Sequence, residues 1–149
     1  MEKKSDFLDE LRLEVGLAFD YANNHEDFLE KVLNAIYLSV DEKCMISIYK
    51  PLPNGGFERS LVLGNIGKTK KEEFMGAGFF SLCNMKASLI LKKDGIQSTV
   101  APIYSSSKLE HILAITVVEG VYNLTEQDLY FMDELVRFIG VKYEILKSI

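Results

Sequence analysis

The chain has 149 residues, of which 48% are hydrophobic and 26% charged, and a formal net charge of −5. Length and composition predict one globular domain over residues 1–149 and exclude disordered, collagen-like and low-complexity chains. Two cysteines, Cys44 and Cys83, exclude a disulfide framework. No apolar run approaches the ~20 residues needed to span a bilayer. The charged start, Met1 to Ser5, is not followed by the apolar core of a secretory signal. The expectation is a soluble, reduced, cytoplasmic protein without metal, cofactor or membrane contact. Net negative charge argues against direct nucleic-acid binding. Charge is unevenly placed, however: residues 50–93 hold eight Lys/Arg against three Asp/Glu, a net of +5 that leaves −10 for the remainder. Such a field would draw a small anion towards the middle of the domain.

Residues 5–22 carry Leu8, Leu11, Val15, Ala18 and Ala22 at spacings of three and four, the signature of an amphipathic helix. After a break at Asn23-Asn24, Asn24 caps a second helix, with Asp27 three residues on and Phe28, Leu29, Val32, Leu33, Ile36, Tyr37 and Val40 as its apolar set. Residues 43–50 alternate as a strand, with Cys44, Ile46 and Ile48 on one face and Met45, Ser47 and Tyr49 on the other. Pro51 to Gly56 forms a turn, and residues 57–63 return as the second strand of a hairpin. Residues 69–75 suit a short helix, inside an irregular segment spanning 64–87. Strands are expected at 88–92, 97–104 and 112–118, with a turn over 105–110. The last strand is apolar on both sides, which predicts the centre of a covered sheet. Thr125 and Asp128 cap the final helix, and Leu124 and Leu129 are placed for a hydrophobic staple. That helix bears one apolar stripe at Leu129, Met132, Val136, Ile139, Tyr143 and Leu146. A second stripe at Phe131, Leu135, Phe138 and Ile145 predicts a further contact.

Familiar chemistry is missing. Gly67-Lys68-Thr69 resembles the end of a phosphate-binding loop, but the required first glycine is replaced by Val62. Gly76-Ala77-Gly78 lacks the third glycine of a dinucleotide fingerprint. His25 and His111 have no partners at metal-ligand spacing. The acidic pairs Asp9-Glu10, Asp41-Glu42, Glu72-Glu73 and Asp133-Glu134 are adjacent in sequence, and adjacent helical residues do not face each other.

The C-terminal half resembles a GAF domain, an α+β fold related to PAS domains. The resemblance rests on Ser88 to Ile96 leading into Ser98-Thr-Val-Ala-Pro-Ile-Tyr104. Ile112-Leu-Ala-Ile-Thr-Val-Val118 then runs into Tyr122 to Leu129 and a long acidic-capped helix. It implies a central antiparallel sheet of five or six strands, terminal helices on one face and a small-molecule pocket on the other. It also implies a sensory role and a homodimer formed through the terminal helices, working with or fused to a histidine kinase or transcription regulator of a two-component type. The ligand-binding residues expected on this basis are Ser47 and Tyr49 on the first strand and Thr116, beside Ala114, on the last. Phe79, Phe80 and Ser81 would form a roof, and Ala101, Pro102 and Tyr104 a wall. The favoured ligand is a small anion or metabolite, and no catalytic residue is expected. A standalone nitrate receptor of this family is similar in size and is matched only at Pro102-Ile103. The Cys-His pair of bilin-binding phytochromes is absent, because Cys83 is followed by Asn84. Two alternatives stand beside this reading. One is a thiol enzyme of the free-methionine-sulfoxide-reductase type using Cys83 and Cys44, and the other a dimerisation module with a vestigial pocket.

Overall fold

A computed structural model describes residues 4–39, 44–53, 57–64, 88–93, 95–118 and 125–148. Three helices and five strands occupy them: α1 (Lys4–Tyr21), α2 (His25–Ser39), β1 (Cys44–Pro51), β2 (Phe57–Leu63), β3 (Leu89–Lys93), β4 (Ile96–Ser105), β5 (Lys108–Val118) and α3 (Glu126–Lys147).

The helix starts follow their caps. Before α2, the Asn24 side-chain oxygen accepts the Asp27 N–H at 2.8 Å, and the Asp27 carboxylate accepts the Asn23 N–H at 2.9 Å. Before α3, the Asp128 carboxylate accepts the Thr125 N–H at 2.7 Å and its hydroxyl at 3.1 Å. Both caps agree with the sequence. Leu124, the outer half of the expected staple, lies outside the described residues, as do the 69–75 helix and the tip of the 51–56 turn.

The strands form one antiparallel sheet in the order β2-β1-β5-β4-β3. The turn expected over 105–110 shrinks to two residues, Ser106 and Ser107, with φ of 51° and 67°. Two consecutive positive φ values suit the right-handed twist of the strands they join, so β4 and β5 pair from Ser105 and Lys108 onward. His111 therefore lies inside β5 and not at its start. The sequence signal was weak because Gly or Asn, not serine, normally marks such a turn.

The helices pack on one side of the sheet. α2 lies against β1 and β2, α3 lies along β4, and α1 rests on α2 and α3. Leu11 and Val15 of α1, Phe28 and Ile36 of α2, and Met132, Leu135 and Ile139 of α3 meet Ile46, Ile48, Ile103 and Leu113 from the sheet in one core. Leu135, expected on the outer stripe of the last helix, is fully buried, because a helix lying over a sheet and under α1 buries an arc wider than one stripe. Of the other stripe residues, Phe131 and Phe138 pack against the core, and Ile145 is exposed. Arg12 pairs with Glu134, and the Lys142 ammonium lies 4.6 Å from the Phe19 ring centre and 5.5 Å from that of Phe138.

Two glycines permit close approaches. A Cβ on Gly64, whose φ is +83°, would lie 2.3 Å from the Cys44 carbonyl oxygen, so only glycine lets the chain leave β2 at that point. A Cβ on Gly140 would lie 2.4 Å from the Tyr104 carbonyl oxygen, so α3 sits directly against the end of β4.

Candidate functional site

Because side chains alternate along a strand, each strand divides its residues between the helix side of the sheet and the far side. On β1, Cys44, Ile46 and Ile48 join the helix-side core, while Tyr49 belongs to a separate far-side cluster with Val100, Ile112 and Ala114. Ser47 shares the far side with Tyr49, by alternation and by its pairing with Ala114. Thr116 is two residues beyond Ala114 and pairs with Ser98. The Ser98 and Thr116 hydroxyls are 2.9 Å apart and hydrogen-bonded.

The far face is thus a patch of small and hydroxylated side chains on an apolar floor, and it is closed to solvent. Ser47 is 1% exposed, Ser98 0% and Thr116 4%. A buried hydroxyl needs a partner, and the Ser98–Thr116 bond supplies one while leaving both oxygens further capacity to accept. Such groups on an apolar wall can orient a small ligand by hydrogen bonds while the wall excludes water. Phe57 and Leu109 pack at the margin of the cluster.

The sequence-derived residues do not all meet. Ser47, Tyr49 and Thr116 share the far face as expected. Ala101 does not: it is 0% exposed within the helix-side core and pairs with Leu113. Neighbouring strand residues point to opposite faces, so Ala101 and Pro102 cannot form one wall. Pro102 pairs with far-side Ile112, but with Tyr104 it also lines a groove between the end of β4 and α3. Phe79, Phe80 and Ser81 lie outside the described residues. Ser98, Val100 and Ile112 were not singled out from the sequence. Counting in twos from Thr116 reaches Ile112, but Ser98 emerges only once the β4–β5 register is known.

The thiol chemistry loses one of its two cysteines. Cys44 is 2% exposed, and burial pushes its thiol pKa up to about 11, so it is a protonated core residue at neutral pH. Cys83 lies outside the described residues. His111 is also a core group. Its ring packs edge-on against Tyr143, with centroids 5.3 Å apart, and His25 meets Tyr143 at 5.2 Å. Its Nδ1 has no hydrogen-bond partner among the described residues, and burial lowers its pKa to about 4. Among the described residues no group of three or more His, Cys, Asp or Glu could hold a metal ion, and no helix is long and apolar enough to cross a membrane.

No family model matches the sequence, and no curated protein matches it. Solved structures do. The phycoerythrobilin-bound GAF domain of a cyanobacterial phytochrome is similar with a TM-score of 0.75 and 14% identity, covering 97% of this chain and 98% of that one. The GAF domain of a phosphoenolpyruvate-protein phosphotransferase from Coxiella burnetii gives 0.69 and 12%, covering 98% of each chain. The nlh2 GAF domain of A. aeolicus, described as in an inactive state, gives 0.69 and 12%, covering 96% of this chain and 99% of that one. Identities this low speak for the fold alone, and the fold is that of a GAF domain.

Proposed function

We propose that this GAF-fold chain is a regulatory sensor that binds a small anion or metabolite on the far face of its sheet. The observation that carries the reading is the hydroxyl patch of Ser47, Ser98 and Thr116. These groups are buried beside the apolar side chains of Val100, Ile112 and Ala114. Structural economy alone would place valine or isoleucine there. Tyr49 and Thr116 orient the ligand, Pro102 and Tyr104 stand at its margin, and Phe79, Phe80 and Ser81 are assigned as its roof. The positive charge of residues 50–93 draws the anion in. Two copies associate through α1 and α3, whose outward residues include Leu13 (66% exposed), Leu17 (42%) and Ile145 (43%). The bound state is passed through these helices to a histidine kinase or transcription regulator, fused or separate.

The test is a thermal-shift panel of nitrate, 2-oxoglutarate and cyclic nucleotides, run on the parent and on Ala114→Leu, which fills the far face. A ligand held at a hundredfold excess over its Kd stabilises by about 2.7 kcal/mol, worth roughly 5–10 °C in a domain of this size. A rise in the parent that is lost in the variant supports the reading. A rise of equal size in both, or none in the parent, counts against it.

A further inference from the structure

A groove of about 330 Å³ runs along the seam between the end of β4 and α3. Among the described residues, pairing of β4 with β3 stops at Val100, whereas β4 continues to Ser105. α3 meets the end of β4 at Gly140, where the absence of a side chain lets the helix backbone close on the Tyr104 carbonyl and form the floor of the groove. Pro102, Val136 and Val141 supply apolar lining. The volume is at the small end of ligand sites, suited to a metabolite and not to a large cofactor.

Three charged side chains of α3 line the same groove: Asp133, Arg137 and Glu144. All three keep unused capacity. One Asp133 oxygen accepts the Ser88 N–H at 3.2 Å and the Ser88 hydroxyl at 2.6 Å, leaving the other. One Glu144 oxygen accepts the Ser106 hydroxyl. The Arg137 side chain is 74% exposed, and its nearest carboxylate, Glu134, is at 4.0 Å. Asp133 and Arg137 stand four residues apart, the spacing at which opposite charges pair across a helical turn, yet no ion pair joins them among the described residues. At 1.5 Å per residue Asp133 is about 6 Å from Arg137 along the axis, and Glu144 about 10 Å beyond Arg137 on the other side.

We infer that this groove is a second ligand site, distinct from the far face, for a basic α-amino acid. The α-carboxylate sits on the Arg137 guanidinium in a bidentate pair. The α-ammonium takes the free Asp133 oxygen. The aliphatic stem lies along Val141, and the cationic end reaches Glu144. Charge balance selects this class: two carboxylates and one guanidinium leave the groove at −1, which a ligand of net +1 neutralises. Neither a plain anion nor an acidic amino acid does so.

The experiment is two-dimensional amide NMR of the full chain titrated with L-arginine. L-Norleucine (no side-chain charge), agmatine (no carboxylate) and L-glutamate serve as comparisons. L-Arginine should move the amides of residues 133–144 and 103–105 and leave Ser47, Ser98 and Thr116 still. Agmatine and norleucine should each bind about tenfold more weakly, and glutamate not measurably. Arg137→Gln should weaken L-arginine about tenfold and abolish its advantage over agmatine, and Glu144→Gln should abolish the preference for arginine over norleucine. Both side chains are exposed, so the unperturbed remainder of each variant's spectrum verifies its fold. The inference is overturned if 10 mM L-arginine moves no groove amide, if the shifts fall on the far face, or if glutamate or agmatine binds as well as arginine.

Discussion

The two faces of the sheet are made from the same strands and differ in almost everything else. The helix side presents Ile46, Ile48, Ile103, Leu113 and Ile115 to residues from three helices, with Gln97, Thr99 and His111 as the buried polar groups on the same side. The far side presents Ser47, Ser98, Val100, Ala114 and Thr116, smaller and partly hydroxylated, though equally shut off from solvent. The helix side packs against three helices, while the far side brings the hydroxyls of Ser47, Ser98 and Thr116 together around Val100, Ile112 and Ala114.

The sharpest way to break this contrast is to truncate matching positions on the two sides. Leu113→Ala removes a fully buried side chain from the helix-side core and should cost about 3 kcal/mol in denaturant unfolding. The far-side Thr116→Val should cost about 1 kcal/mol, because it keeps the volume but leaves the buried Ser98 hydroxyl without its partner. Comparable losses at both positions would dissolve the distinction.

A second effect of similar size belongs to the helix side and to pH. His111 is wedged against Tyr143, with Glu110 favouring its charged form and Lys50, His25 and Lys147 opposing it. Its folded pKa of about 4 lies below the ordinary value of 6.5, so the unfolded chain binds the proton more readily. The stability that this neutral imidazole confers is complete above pH 6.5 and is lost as pH falls towards 4, up to about 3 kcal/mol. His111→Gln should flatten the stability profile between pH 6.5 and 4 relative to the parent. Parallel profiles would place His111 in a more hydrated setting.

The close approach of α3 to β4 sharpens the comparison from the helix side. Gly140→Ala improves helix propensity by about 1 kcal/mol but drives a methyl towards the Tyr104 carbonyl, so a net loss of about 2 kcal/mol is expected in thermal unfolding. A gain in stability would mean that α3 can move away freely. The smallest effect is expected from Ser98→Ala combined with Thr116→Val. Removing both hydroxyls together should be near neutral, within about 0.5 kcal/mol, while Ser98→Ala alone should cost about 1 kcal/mol.

Much of the fold was legible in the residues, for identifiable reasons. The Asn24–Asp27 and Thr125–Asp128 caps are local chemistry, and local chemistry survives in sequence. The alternation of Cys44 to Tyr49 was readable because its two faces differ in polarity. The alternation of β4 was not, because residues 97–103 are buried on both sides and so carry no polarity contrast. That is why Ala101 was grouped with Pro102. The Ser98–Thr116 bond joins residues 18 positions apart, and only the strand register brings them together. The groove beside α3 depends on how α3 meets the end of β4, a tertiary contact that periodicity does not encode.

The central claim is that ligands enter the far side of the sheet and leave the helix side undisturbed. Methyl NMR with the strongest ligand from the thermal-shift panel tests it at paired reporters: Ala114 and Ile112 on the far side, Ala101 and Ile115 on the helix side. The account predicts shifts at Ala114 and Ile112 with Ala101 and Ile115 nearly still. Shifts concentrated at Ala101 and Ile115, or none at Ala114 and Ile112, would contradict it.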